Sequence, residues 1–141
     1  MKNKGFTLIE LLIVLAIIGV LSSFLLANLI GAKARARDAE RKSDMRQMQS
    51  AFELYRADQG TYPPAPLPAC GSGLLNGGTT YMQKIPCDPL NSGQFVYSYA
   101  TTGTTYTLAA CLENVNDQQK DSVNSAKCSG TSNWSYTLTN P

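Results

Sequence analysis

The sequence predicts an α+β fold, with one long N-terminal helix whose second half packs on a small antiparallel sheet. Three observations carry this. No helix breaker stronger than Gly19 or Gly31 occurs from Phe6 to Gln59. Met45, Met48, Phe52 and Tyr55 recur at spacings of 3, 4 and 3, which marks one buried helical face. Later segments alternate apolar and polar side chains with the period of two expected of strands.

The first half of the helix reads as a membrane span. Leu11 to Ala32 carries no charge over 22 positions, roughly 33 Å at helical rise and enough to cross a bilayer core. Glu10 stands at its edge. An ionised carboxylate there costs roughly 2.5–3.5 kcal/mol on insertion scales unless a positive group meets it. No basic residue lies between Glu10 and Lys33, so the counter-charge must come from elsewhere. A new N-terminus at Phe6 is the obvious source.

In the second half, Arg41, Lys42, Asp44, Arg46, Glu53 and Arg56 are expected mostly off the apolar stripe. Gly60 and Pro63-Pro64 end the helix, glycine suiting the C-terminal cap and proline being unable to continue. The Pro/Gly-rich connection over 60–93 is expected to be irregular, with a short helical turn near Leu74 or Tyr81. Gln94 to Ala100 alternates Phe95, Tyr97 and Tyr99 against smaller residues. Thr102-Gly103 supplies a turn, and Thr105 to Cys111 places Tyr106, Leu108 and Ala110 on one face. Asn133 to Thr139 does the same with Trp134, Tyr136 and Leu138. These three strands would set their aromatic face against Met45, Met48, Phe52 and Tyr55. The polar stretch Glu113 to Asn133 reads as a loop.

Charge and cysteine usage narrow the function classes. The 141 residues carry a net charge of +2 and no histidine. Lys33 to Arg46 holds six bases and three acids, whereas the chain from Asp58 onward holds three lysines and five acids. Such a polarised chain suits self-packing better than steering toward nucleic acid. The interleaved Asp38, Glu40 and Asp44 further argue against nucleic acid as a direct ligand. Instead the basic run reads as a solvated or intersubunit stretch with weak local pairs. Lys2 and Lys4 on one side of the span face Lys33, Arg35 and Arg37 on the other, so the positive-inside rule leaves orientation open. Cys70, Cys87, Cys111 and Cys128 all lie beyond the span, and an even count in a small loop-rich domain points to an oxidising compartment. The reading is N-terminus in, C-terminal domain out. No Ser or Cys has an evident base partner, so nothing suggests an enzyme or a cofactor.

Lys4-Gly5-Phe6-Thr7-Leu8-Ile9-Glu10 followed by an apolar helix resembles the class III signal of type IV pilins and type II secretion pseudopilins. Its cleavage motif precedes the apolar run rather than following it, unlike an ordinary secretory signal. Tyr62-Pro63, Ile85-Pro86-Cys87-Asp88-Pro89 and Phe95-Val96-Tyr97 look like the region after the helix in G-type pseudopilins and minimal pilins. The resemblance implies the type IV pilin-like version of the α+β fold. It also implies cleavage by a prepilin peptidase between Gly5 and Phe6, N-methylation of Phe6, and assembly through Phe6 and Glu10 into a homopolymeric filament on an inner-membrane platform. Ala27 stands where many relatives carry proline before Asn28, so helix loosening there is not implied.

The expected organisation is a leader over 1–5, a membrane and filament-core half over 6–32, and a globular domain over 33–141. Within the last, 33–59 is amphipathic helix, 60–93 connection and 94–141 sheet and disulfide loop. The four cysteines permit three pairings. We favour Cys70–Cys87 and Cys111–Cys128, the latter resembling the C-terminal pair of many type IV pilins. Relatives among the pseudopilins use a C-terminal calcium loop, which makes Glu113, Asn116, Asp117 and Asp121 candidate oxygen donors. They do not form a recognised ligand pattern, and no metal is expected.

Two readings of function follow. The first is a type IV pilus subunit, held in the membrane as a prepilin, then extracellular in a filament serving adhesion, twitching motility or DNA uptake. The second is a type II secretion pseudopilin driving protein export. A plain membrane-anchored binding domain would need neither processing nor a polymer.

Overall fold

A breaker-free stretch folds as one helix, α1 (Leu8–Gln59), in the computed structural model of the chain. The structure describes residues 5–141, with side chains throughout except at positions 24–28. The leader lysines Lys2 and Lys4 therefore lie outside the described residues, as do the side chains of Ala27 and Asn28. The chain divides into two units, one ending at Ala34 and the other spanning Arg35–Pro141.

In the first unit the apolar side chains of α1 stand exposed, among them Leu11, Ile13, Ile17 and Leu21. Ser23 Oγ donates to the Gly19 carbonyl at 2.7 Å, which satisfies the hydroxyl within the helix itself. Among the described residues no helix is long and apolar enough to cross a membrane. Before positions 24–28 the described side chains of the helix run from Leu8 to Ser23, about 24 Å at helical rise, and Leu29 and Ile30 stand exposed beyond them. The full uncharged run passes through positions 24–28, so the spanning length is a property read from the sequence.

In the second unit α1 buries Met45, Met48, Ala51, Phe52 and Tyr55. It ends where Gly60 adopts a φ of +77° and donates its N–H to the Arg56 carbonyl at 2.8 Å. That left-handed C-terminal position is one a side chain would strain. Two antiparallel sheets follow. The first pairs β1 (Leu74–Asn76) with β2 (Thr79–Met82). The second has the order β3 (Ser98–Thr101), β4 (Tyr106–Leu112), β5 (Trp134–Thr139).

Tyr106, Leu108 and Ala110 of β4 are buried against the helix stripe, and Leu108 sits opposite Tyr99 on one side and Leu138 on the other. Aromatic edges tighten this layer: Phe52 lies 5.0 Å from Tyr99 and 5.4 Å from Tyr106, and Tyr62 lies 4.7 Å from Tyr106. Such pairs contribute about 0.5–1.5 kcal/mol each beyond area burial.

The connection departs from expectation. In place of irregular chain with a helical turn, β1 and β2 form a hairpin closed by Gly77 and Gly78, at φ +56° and +87°. Two successive positive φ values suit the tight turn that matches strand twist. The strand expected from Gln94 begins only at Ser98, because Phe95 is held in a turn bonded to Ser92 and beneath the Arg41 guanidinium, 4.8 Å away.

Disulfides join Cys70 to Cys87 and Cys111 to Cys128. The second is buried at both ends and ties β4 to the loop before β5. Each bond spans a sequence separation of 17, for which loop-closure entropy gives about 3 kcal/mol. Cys111→Ser with Cys128→Ser is therefore expected to lower the denaturation midpoint of the domain more than a neutral surface change. Thermal melts of oxidised wild type and the double variant check this.

Candidate functional site

The chemistry expected of the N-terminus sits on a short exposed stretch. Gly5 has no neighbour within 4 Å of an added Cβ, so nothing among the described residues requires glycine there. Phe6 is 83% exposed. Thr7 and Glu10 then bond reciprocally. Thr7 N–H and Oγ1 both donate to Glu10 Oε2, at 2.8 and 2.7 Å, and Glu10 N–H donates to Thr7 Oγ1 at 3.3 Å. This is a capping box, which satisfies orphan donors at a helix start. The Thr-x-x-Glu spacing of Thr7 and Glu10 is the sequence signal for it. Every partner in the box lies C-terminal to the Gly5–Phe6 bond.

The second cluster lies in the sheet-bearing unit and overturns a sequence expectation. Arg41 is not on a solvated face; it is 0% exposed. It continues the buried stripe, since 38, 41, 45, 48, 52 and 55 step by 3, 4, 3, 4 and 3. Its Nε and Nη2 donate to the two oxygens of Asp88 at 2.7 and 3.0 Å. Nη1 donates to Asp38 Oδ1 and Glu113 Oε1, both at 2.8 Å. Arg37 forks onto the same Glu113 at 2.7 and 2.6 Å. Asp38 also accepts the N–H groups of Glu113 and Asn114 at 2.9 and 2.8 Å. One helical turn thus fixes both the Asp88 loop and the start of the loop after β4.

Ionisation follows from these contacts. The Arg37 fork, opposed by burial and helped by Arg41, holds the Glu113 carboxyl below its usual 4.5. Burial works against ionised Asp117, yet Lys42 and the Gln119 amide outweigh it and hold it below 3.8. Burial raises Asp44 despite its bond from Tyr97. A lowered carboxyl stabilises the fold above its unfolded pKa, and that contribution is lost as pH falls through the folded value. Asp44 has the opposite sign. Protonation of Glu113 and Asp117 is expected to lower the urea midpoint as pH falls below their usual carboxylate range, and protonation of Asp44 offsets part of that fall. Glu113→Gln should flatten part of the acid fall, which paired urea titrations measure.

The calcium-loop donors do not converge on a metal. Both Glu113 oxygens face arginine nitrogens. Asp117 accepts from Lys42 Nζ and the Gln119 N–H, at 2.8 and 2.9 Å. Asp121 accepts from the Thr137 N–H and Oγ1, at 3.0 and 2.6 Å. Asn116 donates its N–H to Asn114 Oδ1. Calcium needs six to eight oxygens, and these carboxylates already answer cations and donors of the chain. Among the described residues no three metal-ligating side chains cluster.

Comparison with known proteins bears on both halves. The family model described as the prokaryotic N-terminal methylation motif matches residues 1–26. That of the type II secretion system, protein G, matches residues 28–127. The chain is 34% identical over 99 residues to Type II secretion system core protein G of Escherichia coli (strain K12), covering 62% of this chain and 67% of that protein. For the protein of the same name from Pectobacterium carotovorum subsp. carotovorum the figures are 39% over 112 residues, 66% and 70%. A shorter match, 38% over 61 residues, links it to Type IV major pilin protein PilA of Myxococcus xanthus (strain DK1622), covering 43% of this chain and 28% of that one. No solved structure gives a significant match.

Proposed function

Because the chain belongs to the type II secretion system protein G family, whose members are structural filament subunits and not enzymes, we propose that it is a pseudopilin of a type II secretion system. The observation that carries this reading is the protein G match over 28–127, directly after the methylation motif over 1–26. The sequence alone put a pilus first and secretion second; the greater coverage of the protein G relatives reverses that order.

On this reading residues 1–5 are a leader, 6–32 the membrane and filament-core half, and 33–141 the globular domain. A prepilin peptidase cuts between Gly5 and Phe6 and the new Phe6 amine is methylated. The exposed apolar face of α1 holds the subunit in lipid, with the N-terminus cytoplasmic, until neighbouring helices replace the lipid. Export is driven by growth of the polymer outside the inner membrane.

The chemistry of the helix start supports a cross-subunit pair. The positive end of the helix dipole favours the Glu10 carboxylate in the first turn and disfavours the Phe6 ammonium just ahead of it. A neighbour's Glu10 is the better partner for that amine. The capping box engages Glu10 through Oε2, a geometry compatible with a second donor at Oε1.

Two measurements test the proposal. Mass spectrometry of the mature protein should find a methylated Phe6 at its start; a retained initiator methionine refutes processing. A deletion strain should keep its exported hydrolases inside the cell while twitching normally. Loss of surface appendages and motility, with secretion intact, would instead favour the pilus reading that the Myxococcus match supports.

A further inference from the structure

The loop between β4 and β5, which carries the candidate calcium donors Glu113, Asn116, Asp117 and Asp121, is organised by ammonium groups. Lys120 Nζ donates to the Val115 carbonyl at 2.5 Å and lies 4.3 Å from the centre of the Trp134 ring. Trp134, expected from its alternation to face the helix, instead turns its indole N–H to the Asp121 carbonyl at 2.7 Å. The Asp121 N–H donates to the Ser135 carbonyl at 2.9 Å, and its carboxylate holds Thr137. At the other end Asp38 clamps the N–H groups of Glu113 and Asn114, and Lys42 reaches Asp117.

We propose that the Lys120 ammonium, seated between the Val115 carbonyl and the Trp134 ring, is the built-in cation that fixes the 113–121 loop, and that this loop takes no calcium. A half-buried ammonium over an indole face is held by the ring quadrupole as well as by its acceptor. It satisfies the Val115 carbonyl and draws the loop onto β5. A divalent ion would need several of the same oxygens within about 2.6 Å. To reach them it would have to displace Lys42 from Asp117 and the Thr137 donors from Asp121. Lys120 and Lys42, both positive, would also repel it. The Cys111–Cys128 bond closes the loop covalently, which removes a further part of the work a metal does elsewhere. This inference is independent of which filament the subunit builds.

The test uses the full chain in detergent micelles, with calcium chloride as the probe at about 1 mM, the upper range for extracellular calcium modules. Wild type should show the same melting midpoint and the same amide exchange over 114–121 in calcium as in chelator. Lys120→Met, which keeps the stem and removes the charge, should speed exchange of those amides by on the order of tenfold while leaving the α1 amides of 45–55 protected. Lys120→Arg should restore most of the protection. A calcium-dependent rise in the wild-type midpoint overturns the proposal, and so does a Lys120→Met loop as protected as wild type.

Discussion

Arg41→Ala should cost the sheet-bearing domain about 3–5 kcal/mol, the range for breaking a buried ion pair by removing one partner. The guanidinium meets Asp38, Asp88 and Glu113. Without it three carboxylates face one another where Asp38 and Asp88 are sealed from solvent. For a domain of roughly a hundred residues, each kcal/mol moves the melting midpoint by about 4–8 °C. The expected fall is therefore on the order of 12–40 °C. Arg41→Lys should lie between, because a single ammonium cannot fork across Asp88 while also reaching Asp38 and Glu113. Thermal melts of the three proteins decide the matter. A midpoint for Arg41→Ala within a few degrees of wild type would show that the cluster does not hold the domain together.

The second large effect concerns assembly. Glu10 has two tasks, since its carboxylate caps α1 through Thr7 and is proposed to meet the Phe6 amine of a neighbour. Glutamine separates them. It can complete a capping box but brings no negative charge. Glu10→Gln is expected to be inserted and cleaved like wild type, yet to lower filament yield at least tenfold, which corresponds to a pairing of about 1.4 kcal/mol or more per contact. In a low-dielectric core the pair would act chiefly on axial register, because a misplaced step leaves a charge alone. Glu10→Ala should assemble no better and should also fray the first turn, at a further cost of about 1 kcal/mol. Quantifying sheared filaments against total processed subunit gives the answer. Wild-type yields from Glu10→Gln would confine Glu10 to the cap.

What the sequence disclosed, and what it hid, depends on how local the cause is. The stripe of Met45, Met48, Phe52 and Tyr55 and the alternation through Tyr106, Leu108 and Ala110 are near-neighbour patterns, and they yield the helix and the sheet. The Gly77-Gly78 turn was equally local, following Asn76, but the surrounding prolines drew attention to irregular structure. Arg41 was legible in spacing and obscured by its charge. It falls on the apolar stripe, and a cation there signals buried carboxylates elsewhere in the chain. Those partners, Asp88 and Glu113, lie 47 and 72 residues away, and no periodicity connects them. Phe95 and Trp134 share this cause. Both sit in alternating segments, and both are diverted by cations, Arg41 and Lys120, that only the tertiary fold brings near.

Among the described residues, the bonds that begin α1 belong to residues 7–11. The proposed cut after Gly5 would leave each of these bonds within the trimmed chain. On that proposal a trimmed molecule would carry its helix start already formed, and the pace of growth would be left to supply and docking.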